Sequence, residues 1–103
     1  MDIDYYVTDS GQSPFVKWFD ALEAKSQVAV MRYVRRVSLG GSRKNVESLG
    51  HGVWEIKLSY KGLRIYFAKY DDRVLLLLGG SKSSQARDIE LAKDCWRKYG
   101  EEK

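Results

Sequence analysis

Three basic side chains in the second half of the chain, Lys57, Arg64 and Lys82, have the types and spacing that phosphate chemistry requires. Lys57 and Arg64 lie in two consecutive runs of alternating apolar and polar residues, which are typical of strands. If these strands pair as a hairpin, Lys57, Arg64 and Tyr66 share one sheet face, and Lys82 follows just past its edge. Cations grouped in this way could bind a phosphodiester and stabilise the charge that develops on it.

Metal-free cleavage of RNA needs little more than such a group. Because the ribose 2′-hydroxyl is the nucleophile, the protein supplies a base, cationic stabilisation and a proton for the leaving 5′-oxygen. A lysine that is crowded by other cations is, in general, suited to this proton transfer because its pKa falls. Arg43, Lys44 and Arg87 could add phosphate contacts around the three cations. Nearby tyrosines could stack on a splayed base, and the candidates are Tyr60, Tyr66 and Tyr70.

The same side chains also have an ordinary structural interpretation. An exposed lysine or arginine in a strand usually faces solvent or protects a sheet edge. Tyr66 fits cross-strand packing as well as it fits base stacking. His51, which lies between two glycines, fits a turn, although its ordinary pKa also suits acid–base chemistry. From the residues alone, both interpretations stay open.

Other kinds of site are poorly supported. The chain has one histidine, one cysteine and no cluster of acidic residues at metal-ligand spacing, so we expect no metal or cofactor. A serine-histidine-aspartate triad would depend on His51, and no serine lies in a nucleophile motif. The run GGSKS at residues 79–83 lacks the spaced glycines of a phosphate-binding loop.

Composition predicts a single soluble domain over residues 1–103. The net charge of +4 favours an acidic partner, either a nucleic acid or an acidic protein. Cys95 has no second cysteine to pair with, in agreement with a reducing cytosol. We find no signal peptide, and no apolar run is long enough to cross a membrane, so we expect a cytoplasmic location.

The elements that would position the cations form an α+β domain of order β-α-α-β-β-β-α, with a mostly antiparallel sheet packed on helices. Ser13-Pro14 has the N-cap and first-position residues of a helix, and Gly40-Gly41 ends the second helix. Residues 42–52 are polar and predicted to be a loop. The predicted elements are a strand at 2–7, helices from 14 to about 22 and from 26 to 39, a three-strand meander within 53–85, and a helix from 83–84 to about 99.

Four runs in the second half resemble a known family. They are VWEIK at 53–57, GLRIYF at 62–67, LLLGGSKSSQ at 76–85 and DIELAK at 88–93. Together they resemble the RelE/ParE superfamily of toxins, and more narrowly its HigB-like branch of addiction module killer proteins. The order of the upstream elements agrees, so that the resemblance covers nearly the whole chain. It implies the small RelE-like α+β fold.

The resemblance also implies a function. It implies the toxin of a type II toxin–antitoxin system that cleaves mRNA without metal, commonly on the translating ribosome, and is neutralised by a cognate antitoxin, often of the helix-turn-helix type. Arg64 matches the hairpin arginine that contacts the scissile phosphate. Lys57 and Lys82 match basic positions before and after it, and Gln85 belongs to the branch signature. Ser81 stands where the branch most often has an aspartate.

A second arm of the superfamily implies a different function. ParE-like members bind DNA gyrase and poison it without cleaving RNA. The feature that favours RNA cleavage in this chain is the group of cations on the sheet face. A relic that binds only its antitoxin is a third possibility.

Overall fold

The structure is a computed structural model that describes residues 1–41 and 44–101. Its elements are β1 (Asp2–Tyr5), α1 (Pro14–Asp20), α2 (Ala24–Ser38), β2 (Val46–Gly50), β3 (Val53–Lys57), β4 (Leu63–Tyr70), β5 (Arg73–Ser81), a 3₁₀ turn (Lys82–Ser84) and α3 (Gln85–Glu101). The strands form one sheet in the order β1-β5-β4-β3-β2. Strands β2 to β5 pair antiparallel with their neighbours, and β1 lies parallel to β5. The predicted α+β class with a mostly antiparallel sheet is confirmed.

Tight turns with left-handed backbone connect the antiparallel strands. His51-Gly52 and Asp71-Asp72 are two-residue connections in which both residues have positive φ. Lys61-Gly62 has the same character at the end of the longer β3–β4 turn. This backbone matches the right-handed twist of hairpins, which explains how short polar turns hold these strands in register.

Two element predictions need correction. Residues 46–50, predicted to be loop, form β2, an edge strand against β3. Its residues are mostly exposed and do not alternate clearly, so pairing with β3 rather than its own pattern makes it a strand. The last helix begins after a 3₁₀ turn that Ser81 caps, rather than directly at Ser83-Ser84. By contrast, the predicted N-cap is confirmed, because the Ser13 hydroxyl accepts a hydrogen bond from the Val16 amide.

Helices cover both faces of the sheet, so there are two apolar cores. On one face, α1 and α2 bury a cluster that includes Phe15, Val30, Val34, Ile65 and Phe67. On the other face, α3 packs a smaller cluster, made of Tyr6, Val53, Tyr66, Ala68, Leu75, Leu77, Leu78 and Ala92, together with the partly buried Ile89, Trp96 and Tyr99. The stripe predicted for the last helix is therefore confirmed.

Two adjacent glycines let β5 pass between α1 and α3. A Cβ on Gly79 would lie 2.1 Å from the Trp18 ring, and one on Gly80 would lie 1.9 Å from Oδ2 of Asp88. Neither distance is possible for a side chain, so both helices approach the strand closely because Cβ is absent there. Gly80 is also the cross-strand partner of Arg64. Gly80 therefore lets the start of α3 lie close to Arg64.

Candidate functional site

The three predicted cations lie along the end of the meander. Lys57 on β3 and Arg64 on β4 are cross-strand partners, as the alternation predicted. Arg64 is in turn opposite Gly80 on β5. Lys82 follows β5 directly, and its backbone amide donates a 2.9 Å hydrogen bond to the carbonyl of Gly62 in the β3–β4 turn. We call this surface, defined by Lys57, Arg64 and Lys82, the cationic face.

Exposure decreases from the cationic face towards α3. The Lys57 side chain is 43% exposed and that of Arg64 is 11% exposed. Two residues away on the same strands and on the same face, Glu55 and Tyr66 are buried. The site is thus an exposed surface above a buried layer, the floor, which is formed by Glu55 and Tyr66. Arg64 lies at the boundary between this surface and the floor. A guanidinium in that position is desolvated on one side and open to a ligand on the other, which strengthens its attraction for an anion.

Glu55 is a buried residue of this region that sequence reasoning did not single out. It is 1% exposed, and its Oε2 accepts a 2.7 Å hydrogen bond from Nε2 of Gln85. Its Oε2 lies 3.9 Å from Nε of Arg64, and its Oε1 lies 4.0 Å from Nζ of Lys57. The available signal was a single carboxylate two residues before Lys57, on the same face of the strand.

Within the described ranges, three buried polar atoms are without a hydrogen-bond partner, and all three belong to this floor: Glu55 Oε1, Arg64 Nε and Tyr66 OH. Buried polar atoms are paired in the great majority of cases. Their concentration at one place supports the interpretation of this region as a functional site rather than as ordinary core.

Tyr66 does not offer a ring for base stacking, contrary to the prediction. It is completely buried under α3, next to Ala92 and the other residues of the second core. Its burial, together with the nearby charge of Glu55, raises the pKa of its hydroxyl, so the phenol stays protonated at neutral pH. The packing alternative is the one that the structure supports, because a stacked base would have to displace α3.

The start of α3 adds polar groups to the cationic face. Gln85 is the first residue of the helix and reaches down to Glu55. Asp88 is buried and accepts a 2.5 Å hydrogen bond from the Ser84 hydroxyl. Arg87 is highly exposed and lies 3.5 Å from Oδ1 of Asp88 through Nη2. The partial positive charge at the N-terminus of this long helix has the same sign as the three cations.

The remaining predicted residues differ in how well the structure describes them. Arg43 lies outside the described residues. Lys44 is exposed, and the carbonyl of the next residue, Asn45, accepts a 2.8 Å hydrogen bond from the Lys57 amide. Lys44 is therefore adjacent to the cationic face. His51 is at the opposite end of β3 from Lys57, beside Trp96 of α3, so it does not contribute an acid or base to this face.

Among the described residues, no group of three histidine, cysteine, aspartate or glutamate side chains could hold a metal ion. None of the helices in the same part of the chain is long and apolar enough to cross a membrane.

The order of the elements and the sheet topology define a class of small α+β domain that is known from solved structures. The E. coli RelE toxin in the intact RelBE toxin–antitoxin complex matches with a TM-score of 0.62 and 16% identity, over 78% of this chain and 94% of that chain. The isolated E. coli RelE toxin matches with a TM-score of 0.61 and 14% identity, over 86% of this chain and 95% of that chain. At these identities the likeness shows a shared fold, and the predicted RelE-like fold is confirmed.

The chain belongs to the phage-derived protein Gp49-like family (DUF891), whose model matches residues 17–97. That range includes every residue of the cationic face and of its floor. No curated protein sequence matches the chain significantly. The family and the fold agree with the RelE/ParE superfamily, whereas the narrower HigB-like assignment stays a prediction.

Proposed function

We propose that this protein is the toxin of a type II toxin–antitoxin system, a metal-independent endoribonuclease that cleaves mRNA on the ribosome in the manner of the HigB-like branch. The observation that carries the proposal is Arg64, a nearly buried guanidinium at the centre of the cationic face of a RelE-like fold. The side chain is 11% exposed, and its terminal nitrogens make one hydrogen bond within the described residues, from Nη1 to the carbonyl of Leu63. The remaining donors of these terminal nitrogens are suited to a phosphate.

The proposed reaction is an internal transesterification. The ribose 2′-oxygen attacks the phosphorus, the bond from phosphorus to the 5′-oxygen breaks, and a 2′,3′-cyclic phosphate and a 5′-hydroxyl are the products. Arg64 and Lys82 stabilise the phosphorane because charge builds up on its oxygens in the transition state. Lys57 binds the phosphate or assists proton transfer, since its ammonium is partly exposed on the same face.

Other basic residues would hold the RNA on either side of the scissile phosphate. Lys44, adjacent to the Lys57 end of β3, and Arg87, on the first turn of α3, flank the cationic face. We keep Arg43 in this set from the sequence prediction alone. Gln85 donates a hydrogen bond to Glu55, so we assign it to the floor of the site. The RNA contact predicted for Gln85 stays a prediction.

The proposed partner is a cognate antitoxin, which we expect to be a helix-turn-helix protein. The structural neighbour in the RelBE complex is a toxin bound to its antitoxin, and the net charge of +4 suits an acidic partner. An adjacent gene for a small helix-turn-helix protein whose co-expression restores growth would support this part of the proposal. Growth arrest that persists with every neighbouring gene product would contradict it.

The direct test is single-turnover cleavage of ribosome-bound message by the wild type and by Arg64→Ala. We expect the variant to cleave roughly 10²–10³ times more slowly, a loss of about 2.7–4 kcal/mol of transition-state stabilisation. The matched control is Arg73→Ala, which removes an exposed arginine from β5 that pairs with Asp4 on β1. This control should cleave at the wild-type rate.

Cleavage by Arg64→Ala at the wild-type rate would contradict the role assigned to Arg64. Intact messages together with arrested replication on expression of the wild type would contradict the nuclease itself and would favour the ParE-like gyrase inhibitor.

A further inference from the structure

Glu55 is a buried negative charge in a site that has to attract a negatively charged substrate. Its side chain is 1% exposed and lies in the middle of β3, so it is not an incidental surface residue. Burial of a carboxylate is costly unless cations and hydrogen bonds compensate for it. Here Lys57, Arg64 and Gln85 provide that compensation from three directions.

The geometry of the compensation leaves Arg64 available to a ligand. The 3.9 Å between Nε of Arg64 and Oε2 of Glu55 is an ion-pair distance, but it is too long for a hydrogen bond. The one hydrogen bond that the guanidinium makes within the described residues runs from Nη1 to the carbonyl of Leu63, at 3.3 Å. Glu55 therefore attracts the guanidinium at its buried Nε without a hydrogen bond, so the donors of Nη2 and the second donor of Nη1 stay available for phosphate oxygens.

Gln85 fixes the carboxylate in turn. Its Nε2 donates a 2.7 Å hydrogen bond to the same oxygen, Oε2, that faces Arg64. Since Gln85 is the first residue of α3, this bond connects the start of the helix to the centre of the sheet face. The same carboxylate oxygen is thus hydrogen-bonded to Gln85 and lies at ion-pair distance from Arg64.

We infer that Glu55 is a positioning residue that holds Arg64 and Lys57 in the orientation required for cleavage, and that Gln85 holds Glu55. This inference rests on the proposed nuclease function and extends it to a residue that does not touch the RNA. It implies that RNA binding and RNA cleavage respond differently to substitution of Glu55. Neutralisation of Glu55 should leave RNA binding intact or tighter, because one negative charge is removed, while cleavage slows because Arg64 is no longer oriented.

The test compares Glu55→Gln with the wild type in two measurements. The first is the dissociation constant for an RNA that carries a 2′-deoxy nucleotide at the cleavage position, which binds without reaction. The second is the single-turnover cleavage rate of the ordinary RNA. We expect equal or tighter binding and a rate that is about 10- to 100-fold lower. Gln85→Ala removes the other partner of the hydrogen bond and should slow cleavage by a similar factor, which keeps the test valid if Glu55→Gln fails to fold. Its RNA binding is not compared, because Gln85 is itself a predicted RNA contact.

The matched control is Glu47→Gln. Glu47 on β2 also contacts Lys57, with Oε2 at 3.0 Å from Nζ, but it is 59% exposed. The substitution removes the same charge from the same neighbourhood without any change at Arg64. It should leave the cleavage rate close to that of the wild type, because exposed ion pairs contribute little.

Two results would overturn the inference. One is wild-type cleavage by Glu55→Gln, and the other is an equal loss of binding and cleavage, which indicates a general structural role. A third measurement does not depend on activity: the Nε–Hε NMR signal of Arg64 should be sharp in the wild type and broadened in Glu55→Gln. If the wild type cleaves no RNA, the proposed function fails, and this signal alone then decides whether Glu55 positions Arg64. An unchanged signal would reject that role.

Discussion

At the scale of single residues, the polar side chains of one strand pair divide into two roles. Lys57 is partly exposed at the end of the pair and Arg64 lies at the boundary of the buried region, whereas Glu55 and Tyr66 lie beneath α3. The chemistry that we propose depends on this division, because the buried carboxylate orients cations that a solvated carboxylate would not orient. A buried tyrosine whose hydroxyl has no hydrogen-bond partner belongs to the same floor.

Tyr66 gives the prediction at this scale. Burial raises the pKa of its hydroxyl above the ordinary value near 10. The folded protein therefore keeps a proton that the unfolded chain loses, so this group makes stability fall as pH rises above about 10, by up to about 1.4 kcal/mol for each pH unit. We expect Tyr66→Phe to remove this part of the alkaline loss and to cleave RNA normally. The measurement is urea unfolding of both proteins between pH 9 and 11.5.

A shared control completes this prediction. The baseline is the free energy of unfolding at pH 8, where the Tyr66 hydroxyl is protonated in both the folded protein and the unfolded chain, so its ionisation makes no difference there. Parallel pH curves would show that the hydroxyl ionises as easily in the folded protein as in the unfolded chain. Loss of cleavage in Tyr66→Phe would restore the stacking or catalytic role that the burial of the ring contradicts.

At the scale of elements, the site depends on how closely α3 and α1 approach β5. Gly79 lies under the Trp18 ring and Gly80 under the Asp88 carboxylate. The two glycines face opposite sides of the same strand, since alternation sends successive residues to opposite faces. The glycine pair in the LLGGSK run is therefore structural. It permits the close packing that carries Lys82 and Gln85 to the cationic face.

Each glycine lies against a different helix, so substitution of each one should affect a different packing contact. Gly79→Ala forces its Cβ against a rigid ring, so we expect a loss of about 1–3 kcal/mol in the free energy of unfolding. Gly80→Ala pushes the Asp88 carboxylate, so it should lower stability and also slow cleavage through displacement of α3 beside Arg64.

Gly100→Ala is the control for that pair. No atom lies within 4 Å of a Cβ placed there, and the residue is in the last turn of α3. Alanine should be neutral or stabilising by up to about 1 kcal/mol at that position. Denaturant unfolding checks all three variants. Gly79→Ala with the stability of the wild type would contradict the packing role of this glycine.

At the scale of the whole molecule, the two sheet faces differ in the helices that cover them and in their part in the proposed chemistry. The face covered by α1 and α2 is an apolar core with no part in the proposed chemistry. The opposite face is covered by α3 over part of its length only, and the cationic face occupies the remainder. RNA should therefore approach from one side, and the basic residues on that side should dominate the salt dependence of binding.

Salt titration tests this asymmetry. The logarithm of affinity falls with the logarithm of salt concentration, and loss of one phosphate contact makes this slope less negative by about 0.7 for single-stranded nucleic acid. We expect Lys82→Ala to reduce the steepness of the slope by this amount. Lys25→Ala, which removes an exposed lysine at the start of α2, should leave the slope unchanged. Equal changes for the two variants would contradict a single RNA-binding side.

Much of the fold and part of the site could be predicted from the residues alone. Ser13-Pro14 and Gly40-Gly41 mark helix ends, because capping depends on local side chains and backbone freedom. Alternation on β3 and β4 predicted that Lys57 and Arg64 share a face, because strand parity is a local property. By contrast, β2 was missed, because an exposed edge strand is defined by its partner.

Only the tertiary structure decided what each polar residue on that face does. The alternation of side chains along β3 and β4 places Glu55 and Tyr66 on the same face as Lys57 and Arg64. It does not indicate where α3 ends. The helix covers Glu55 and Tyr66 and leaves Lys57 and Arg64 at its edge, since Gly80 permits its close approach to β5. The sequence by itself therefore determined which residues face the same way. The packing of α3 determined which of them are buried, because burial depends on contacts between segments distant in the chain.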